Sequence, residues 1–176
     1  MSVNSTLKIL SDTRRAIQSG NLNKAEVACK KILNTNPSNP EALHLLGVIA
    51  LQTKNFNDAI KLFNRAISIS PKFAESYMSL GIALSKIGQN EESLKALKLA
   101  SSIQPAVGEI QYHLGLAEMK MGNSSEALKH LKKAVRKMPK SKTAFTAIGV
   151  VYMQLKQLED GVKSFKKAIS LDSKDS

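Results

Sequence analysis

The sequence predicts an all-α chain, a right-handed α-solenoid of about five 34-residue helix-turn-helix units, and three observations carry that expectation. Gly47, Gly81, Gly115 and Gly149 are each separated by 34 residues. Small residues keep the same step: Ala59, Ser93, Ala127 and Gly161 follow the glycines by twelve residues, and Ala66, Ala100, Ala134 and Ala168 by nineteen. Pro71, Pro105 and Pro139 follow by twenty-four, where a residue without an amide hydrogen stops a helix.

The clearest unit shows the elements in order. Leu43, Leu46, Gly47 and Ala50 form an apolar stripe at 3.6-residue spacing, which predicts a first amphipathic helix. The polar turn "KNFND" follows, with Asn55 expected to cap the next helix and Asp58 to face its positive start. Ala59, Ile60, Phe63 and Ile67 form the second stripe. A glycine inside a helix costs about 1 kcal/mol relative to alanine. Its recurrence opposite a second-helix small residue predicts that two helix backbones approach closely there.

The pattern "LLG…A…F…A…P" across residues 40 to 73, echoed in "SLGIALSKIGQ", "HLGLAEMKMGN" and "AIGVVYMQLKQ", resembles the tetratricopeptide repeat. In that family's phase the units run 6–39, 40–73, 74–107, 108–141 and 142–175, as one continuous domain over 1–176. The first unit departs from the pattern: Asp12 and Thr13 stand where the Leu-Gly pair belongs, although Ala25, Cys29 and Pro37 match. Glu91, Glu92, Glu126, Glu159 and Asp160 occupy first-turn places and read as helix-start residues rather than catalytic carboxylates.

Catalytic machinery is not expected. The sequence holds no GxSxG, GxxxxGK or HExxH and no cysteine-histidine cluster, so no enzyme activity, cofactor or metal is assigned. His44, His113 and His130 are dispersed over different helices, and Cys29 at an apolar packing position reads as a buried small hydrophobe. The apolar runs, such as Leu45 to Leu51, are far shorter than the roughly 18 residues of a membrane span. The start "MSVNSTLKILSDTRR" has no apolar core for secretion, so the chain is expected to be cytoplasmic.

The family resemblance implies a protein-protein interaction scaffold that takes a polypeptide in a groove lined by the first helices. Carried onto this chain, the groove-facing places hold Glu41, His44, Val48 and Leu51; Glu75, Met78, Ile82 and Lys86; Glu109, Tyr112, Leu116, Met119 and Lys120; and Val150 and Met153. The lysine-asparagine clamps and asparagine ladders of other members are not matched at these places. The apolar, methionine-containing strip fits instead an amphipathic helix or apolar segment. Packing between neighbouring first helices is the competing reading for Val48, Ile82, Leu116 and Val150.

Net charge is +12, carried by 22 lysines and four arginines against 14 acidic residues. Lys129, Lys132, Lys133, Arg136, Lys137 and Lys140 form a basic outer face, with no acidic residue between Glu126 and Glu159. An acidic partner or anionic surface would be attracted there. Nucleic acid is disfavoured, because lysine predominates over arginine and no aromatics accompany it.

Two expectations concern the ends. No polar capping helix follows the fifth unit, so Val162, Phe165 and Ile169 lack a successor, which points to a longer protein or to a partner or second copy covering that end. Residues 24–52 also resemble N-terminal repeat modules of bacterial sulfotransferases or glycosyltransferases, which implies the alternative of a substrate-recruiting module.

Overall fold

A computed structural model describes residues 3–172. The last residues of the fifth expected unit, 173–175, lie outside them. Ten helices make up all regular structure among the described residues: α1 (Val3–Gln18), α2 (Leu22–Thr35), α3 (Pro40–Gln52), α4 (Phe56–Ile69), α5 (Ala74–Lys86), α6 (Asn90–Ile103), α7 (Gly108–Lys120), α8 (Ser124–Lys137), α9 (Lys142–Gln154) and α10 (Leu158–Asp172). They divide into two compact units, Met1–Gly88 with α1 to α5 and Gln89–Ser176 with α6 to α10.

Within each unit the helices pack in chain order. In the first, α1 packs on α2, α2 on α3, α3 on α4 and α4 on α5, with α3 also touching α1 and α5. In the second, α6 packs on α7, α7 on α8, α8 on α9 and α9 on α10, with α7 also touching α9. Sequential neighbours with short-range contacts are what stacked helical hairpins produce.

The glycines have a specific partner. A Cβ added at Gly47 would lie 2.6 Å from Phe63 Cε1, one at Gly115 2.7 Å from Leu131 Cγ, and one at Gly149 2.6 Å from Phe165 Cε1. Each partner is the large apolar residue sixteen positions later. The missing methyl therefore makes room for a side chain from the second helix, and the close backbone approach is secondary: Ala127 O would lie 3.2 Å from a Cβ added at Gly115 and Gly149 O 3.4 Å from one added at Gly161. Ala59, Ala66, Ala127 and Ala134 are fully buried, as their period implied.

The divergent first unit keeps the burial of this register with the sizes reversed. Thr13 stands in the glycine register and Cys29 in the large-residue register, and both are buried. Thr13 satisfies its hydroxyl by donating to Ile9 O at 2.7 Å. Burial, with Glu26 adding to it, pushes the Cys29 thiol up to about 11, so the sulfur stays a protonated apolar filler.

The turn between first and second helices carries a second 34-residue register. Gly20, Lys54, Gly88, Gly122 and Lys156 all have positive φ, between 59° and 82°. Three are glycines, for which that conformation is free of steric cost, and two are lysines, which are strained in it. The first unit shares the register despite its divergent helix.

Helix ends follow local chemistry. Asn39 Oδ1 accepts from Ala42 N at 2.8 Å ahead of Pro40, and Ser141 Oγ accepts from Ala144 N at 3.2 Å. Asn55 departs from expectation: its side chain makes no cap bond, and its Nδ2 donates to Thr53 Oγ1 at 3.1 Å. The side chain is drawn back toward the turn that Lys54 tightens. Asn36, Ser70, Gln104 and Met138 close α2, α4, α6 and α8 with non-helical backbone, each immediately before a proline.

Candidate protein-binding faces

Each unit presents a side of its first helices that can be built up residue by residue. In the first unit, Glu41 at the start of α3 is half-exposed and accepts from Arg14 Nη2 of α1 at 3.0 Å. Val48 packs, half-buried, against the α1–α3 core. Leu51, Met78 and Ile82 are half-buried, and Glu75 and Lys86 are exposed.

His44 is a correction to the groove expected from the sequence. Its ring is buried, with centroids 5.6 Å from Phe63 and 5.0 Å from Phe73, and Nδ1 lies 3.0 Å from Ser76 Oγ of α5. Burial, with nearby Arg14 contributing, lowers its pKa to about 4. A neutral imidazole tied to a hydroxyl joins α3 to α5. The period-based assignment missed this because Phe63 and Phe73 close over the position.

In the second unit, Tyr112, Leu116 and Met119 of α7 are half-buried against the core formed by α8 and α9, with Ile148 and Val151 at its centre. They thus combine inter-helix packing with a remaining open side. Val150 and Met153 of α9 are 37% and 46% exposed. Glu109 and Lys120 are exposed at the two ends of α7. Gly161 faces Met153, whose Sδ lies 3.1 Å from where a Cβ would stand.

Behind α7 lies a buried polar cluster that no sequence motif announces. Gln111 donates through Nε2 to Ser101 Oγ at 2.8 Å and to Pro105 O at 3.2 Å, and its Oε1 accepts from His130 Nδ1 at 2.8 Å. Glu118, also buried, accepts from Asn123 Nδ2 at 2.7 Å and pairs with Lys98 Nζ at 3.3 Å. Gln111 and Glu118 are seven residues apart, two helical turns, and so share one face of α7. Burial first, then Lys133, lowers the His130 pKa, against the opposing pull of Glu118 and Glu126. Every member has a polar partner, and the cluster joins α6, α7 and α8 as a structural network.

The basic surface lies on α8 and the turn after it. Lys129, Lys132, Lys133, Arg136, Lys137 and Lys140 are all exposed. Lys129 pairs with Glu126 at 3.3 Å, and Lys132 sits 5.4 Å from the centroid of the Tyr152 ring. Four of these cations, with Ser125 and Leu128, line a shallow cavity of about 350 Å³. Among the described residues no three His, Cys, Asp or Glu side chains gather as a metal site, and no helix is long and apolar enough to cross a membrane.

Comparison with known proteins agrees with this architecture. The tetratricopeptide repeat family profile matches residues 16–66, 50–118 and 112–176. The chain belongs to the tetratricopeptide repeat family. Solved TPR relatives include a crystal structure of MamA, 28% identical with a TM-score of 0.78, covering 93% of this chain and 95% of that one. A second MamA crystal structure is 27% identical with a TM-score of 0.75, covering 98% and 94%. A thermophilic TPR protein of Thermus thermophilus, TTC0263, shares the fold at 23% identity and a TM-score of 0.80, covering 97% and 93%. No curated protein matches significantly, and the transferase likeness of residues 24–52 gains no support. TPR membership makes a protein-interaction scaffold the general character of the chain.

Proposed function

We propose that this TPR chain is a non-catalytic adaptor that holds an apolar or amphipathic polypeptide segment against the open side of its first helices. The observation that carries the reading is in the second unit, where exposed Val150 and Met153 of α9 stand with half-buried Tyr112, Leu116 and Met119 of α7. Apolar side chains left open on a packed helical frame suit the one-sided apolar stripe of a partner helix, and methionine adapts to several shapes. Charged Glu109 and Lys120 at opposite ends of α7 give such a helix a preferred direction. In the first unit, Leu51, Met78 and Ile82 form the corresponding strip.

The test is binding to a panel of amphipathic helical peptides against scrambled sequences of equal composition. Val150→Lys with Met153→Lys is expected to weaken the selected peptide at least tenfold, with circular dichroism and the unfolding midpoint checking that the frame survives the change where Met153 lies against Gly161. Equal binding of native and scrambled peptides, or indifference to the double substitution, contradicts the reading.

The α8 surface supports a second contribution. Residues 127–158 hold eight Lys and Arg and no Asp or Glu, so two thirds of the net charge of +12 sits in 32 residues. Such a field speeds encounter with an acidic partner and fades with salt. Lys133→Glu with Arg136→Glu would then slow association with an acidic peptide while leaving its dissociation rate nearly unchanged.

A further inference from the structure

The outer face of α10 exposes Leu158, Val162 and Ile169 at 58%, 48% and 67%, with Phe165 half-buried beside them. They recur at i, i+4, i+7 and i+11, so they form one stripe along the helix. The repeat shows what such positions ordinarily do. One period earlier, Leu128, Leu131 and Val135 of α8 are packed into a cluster with Ala147, Ile148 and Val151 of α9. On α10 the same register faces solvent among the described residues.

A second copy could cover it through α1 or through α10, and the sequence separates the two. Four periods before α9's Ala147, Ile148, Val151, Tyr152 and Leu155 stand Ser11, Asp12, Arg15, Ala16 and Ser19 of α1. Four of these five are polar and exposed, and Asp12 and Arg15 already pair at 3.0 Å. Burying that face would desolvate charges without apolar gain. Head-to-tail stacking of copies is therefore disfavoured.

The α10 stripe is instead complementary to itself. In an antiparallel pair, Leu158 stands opposite Ile169 of the second copy and Val162 opposite Phe165, since both pairs share one midpoint. Glu159 and Lys166 each follow a stripe residue and are seven positions apart, so they flank the stripe on the same side. Antiparallel pairing brings Glu159 of one copy alongside Lys166 of the other with an axial offset of about 3 Å, at 1.5 Å per residue. This happens twice by symmetry, whereas Lys166 and its symmetry mate are offset by about 7.5 Å. A self-complementary patch is the requirement for a two-fold interface. We propose that α10 is the two-fold interface of a homodimer, with a second copy of this chain docked antiparallel on Leu158, Val162 and Ile169.

The experiment is sedimentation velocity of the 176-residue chain across a hundredfold range of concentration, with circular dichroism as a check on folding. A monomer-dimer equilibrium is expected. Val162→Lys, at an exposed site, should leave a folded monomer. Glu159→Lys and Lys166→Glu should each weaken the dimer about tenfold, and the two together should restore it to within about threefold. Four results overturn the proposal: a chain monomeric at every concentration, a dimer indifferent to Val162→Lys, no recovery in the charge-swapped double variant, or open-ended growth beyond dimers.

Discussion

Replacing Gly47 with alanine opposes two effects of known sign. Alanine is favoured over glycine in a helix interior by about 1 kcal/mol. Against it, the new methyl would lie 2.6, 2.9 and 3.1 Å from three ring atoms of Phe63. That ring is fully buried and packs beside His44, so it has no free direction in which to give. Overpacking of this kind costs about 1–3 kcal/mol, and contacts this short place the change toward the upper part of that range. The expected net result is a loss of about 1–2 kcal/mol, read as a urea midpoint lowered by about 0.5–1 M at unchanged slope. Gly149→Ala meets Phe165 at the same 2.6 Å, but that ring is only half-buried and can swing outward, so its loss should be smaller. Phe63→Leu should cost less in the Gly47→Ala background than in the native one, giving a positive coupling in a double-mutant cycle. A Gly47→Ala protein more stable than the native chain, with no coupling to Phe63, would refute the idea that the periodic glycine makes room for the residue sixteen positions on.

The remaining expectations concern positions that the same registers single out. Lys54→Gly and Lys156→Gly relieve a left-handed conformation and should each raise stability by up to about 1 kcal/mol, measured by chemical unfolding. His44 has a folded pKa of about 4 against an ordinary 6.5, so the unfolded chain takes up its proton first. Its contribution is complete above pH 6.5 and disappears as pH falls toward 4, by as much as about 3 kcal/mol, and unfolding of His44→Gln should lack that part of the pH dependence. Cys29→Phe alone should overpack the first unit by a few kcal/mol, and adding Thr13→Gly should recover much of the loss, seen as a partial return of the unfolding midpoint.

Much of the fold was legible because a solenoid repeats its packing rules at a fixed step. The glycines, the alanines and the helix-stopping prolines announce themselves by period alone, and the structure puts them where the period implies. What the period does not reveal is which atom fills the space. Gly47 reads as a helix-helix contact, yet it faces the Phe63 ring. In the first unit Thr13 breaks the glycine pattern, yet Thr13 and Cys29 are both buried at their repeat places, so the register persists where the motif does not. The left-handed turn position is hard to see in sequence because Lys54 and Lys156 interrupt its glycines. On the candidate faces, a place in the repeat fixes a helix side but not exposure. His44 shares its place with Met78 and Tyr112, and it is buried because Phe73 and Ser76 happen to close over it. Gln111 and Glu118 look like surface residues in sequence, and only the hydrogen-bond partners on α6 and α8 make their burial tolerable.

The methionines offer the most direct test of the binding reading, because they sample both kinds of surface. Met119 and Met153 lie on the proposed face of the second unit, whereas Met121 and Met138 lie in the turns that end α7 and α8. Methyl NMR of a methionine-labelled chain titrated with the selected amphipathic peptide should shift Met119 and Met153 at the concentration that saturates binding and leave Met121 and Met138 in place. Shifts confined to Met121 and Met138, with Met119 and Met153 unmoved at saturation, would contradict it.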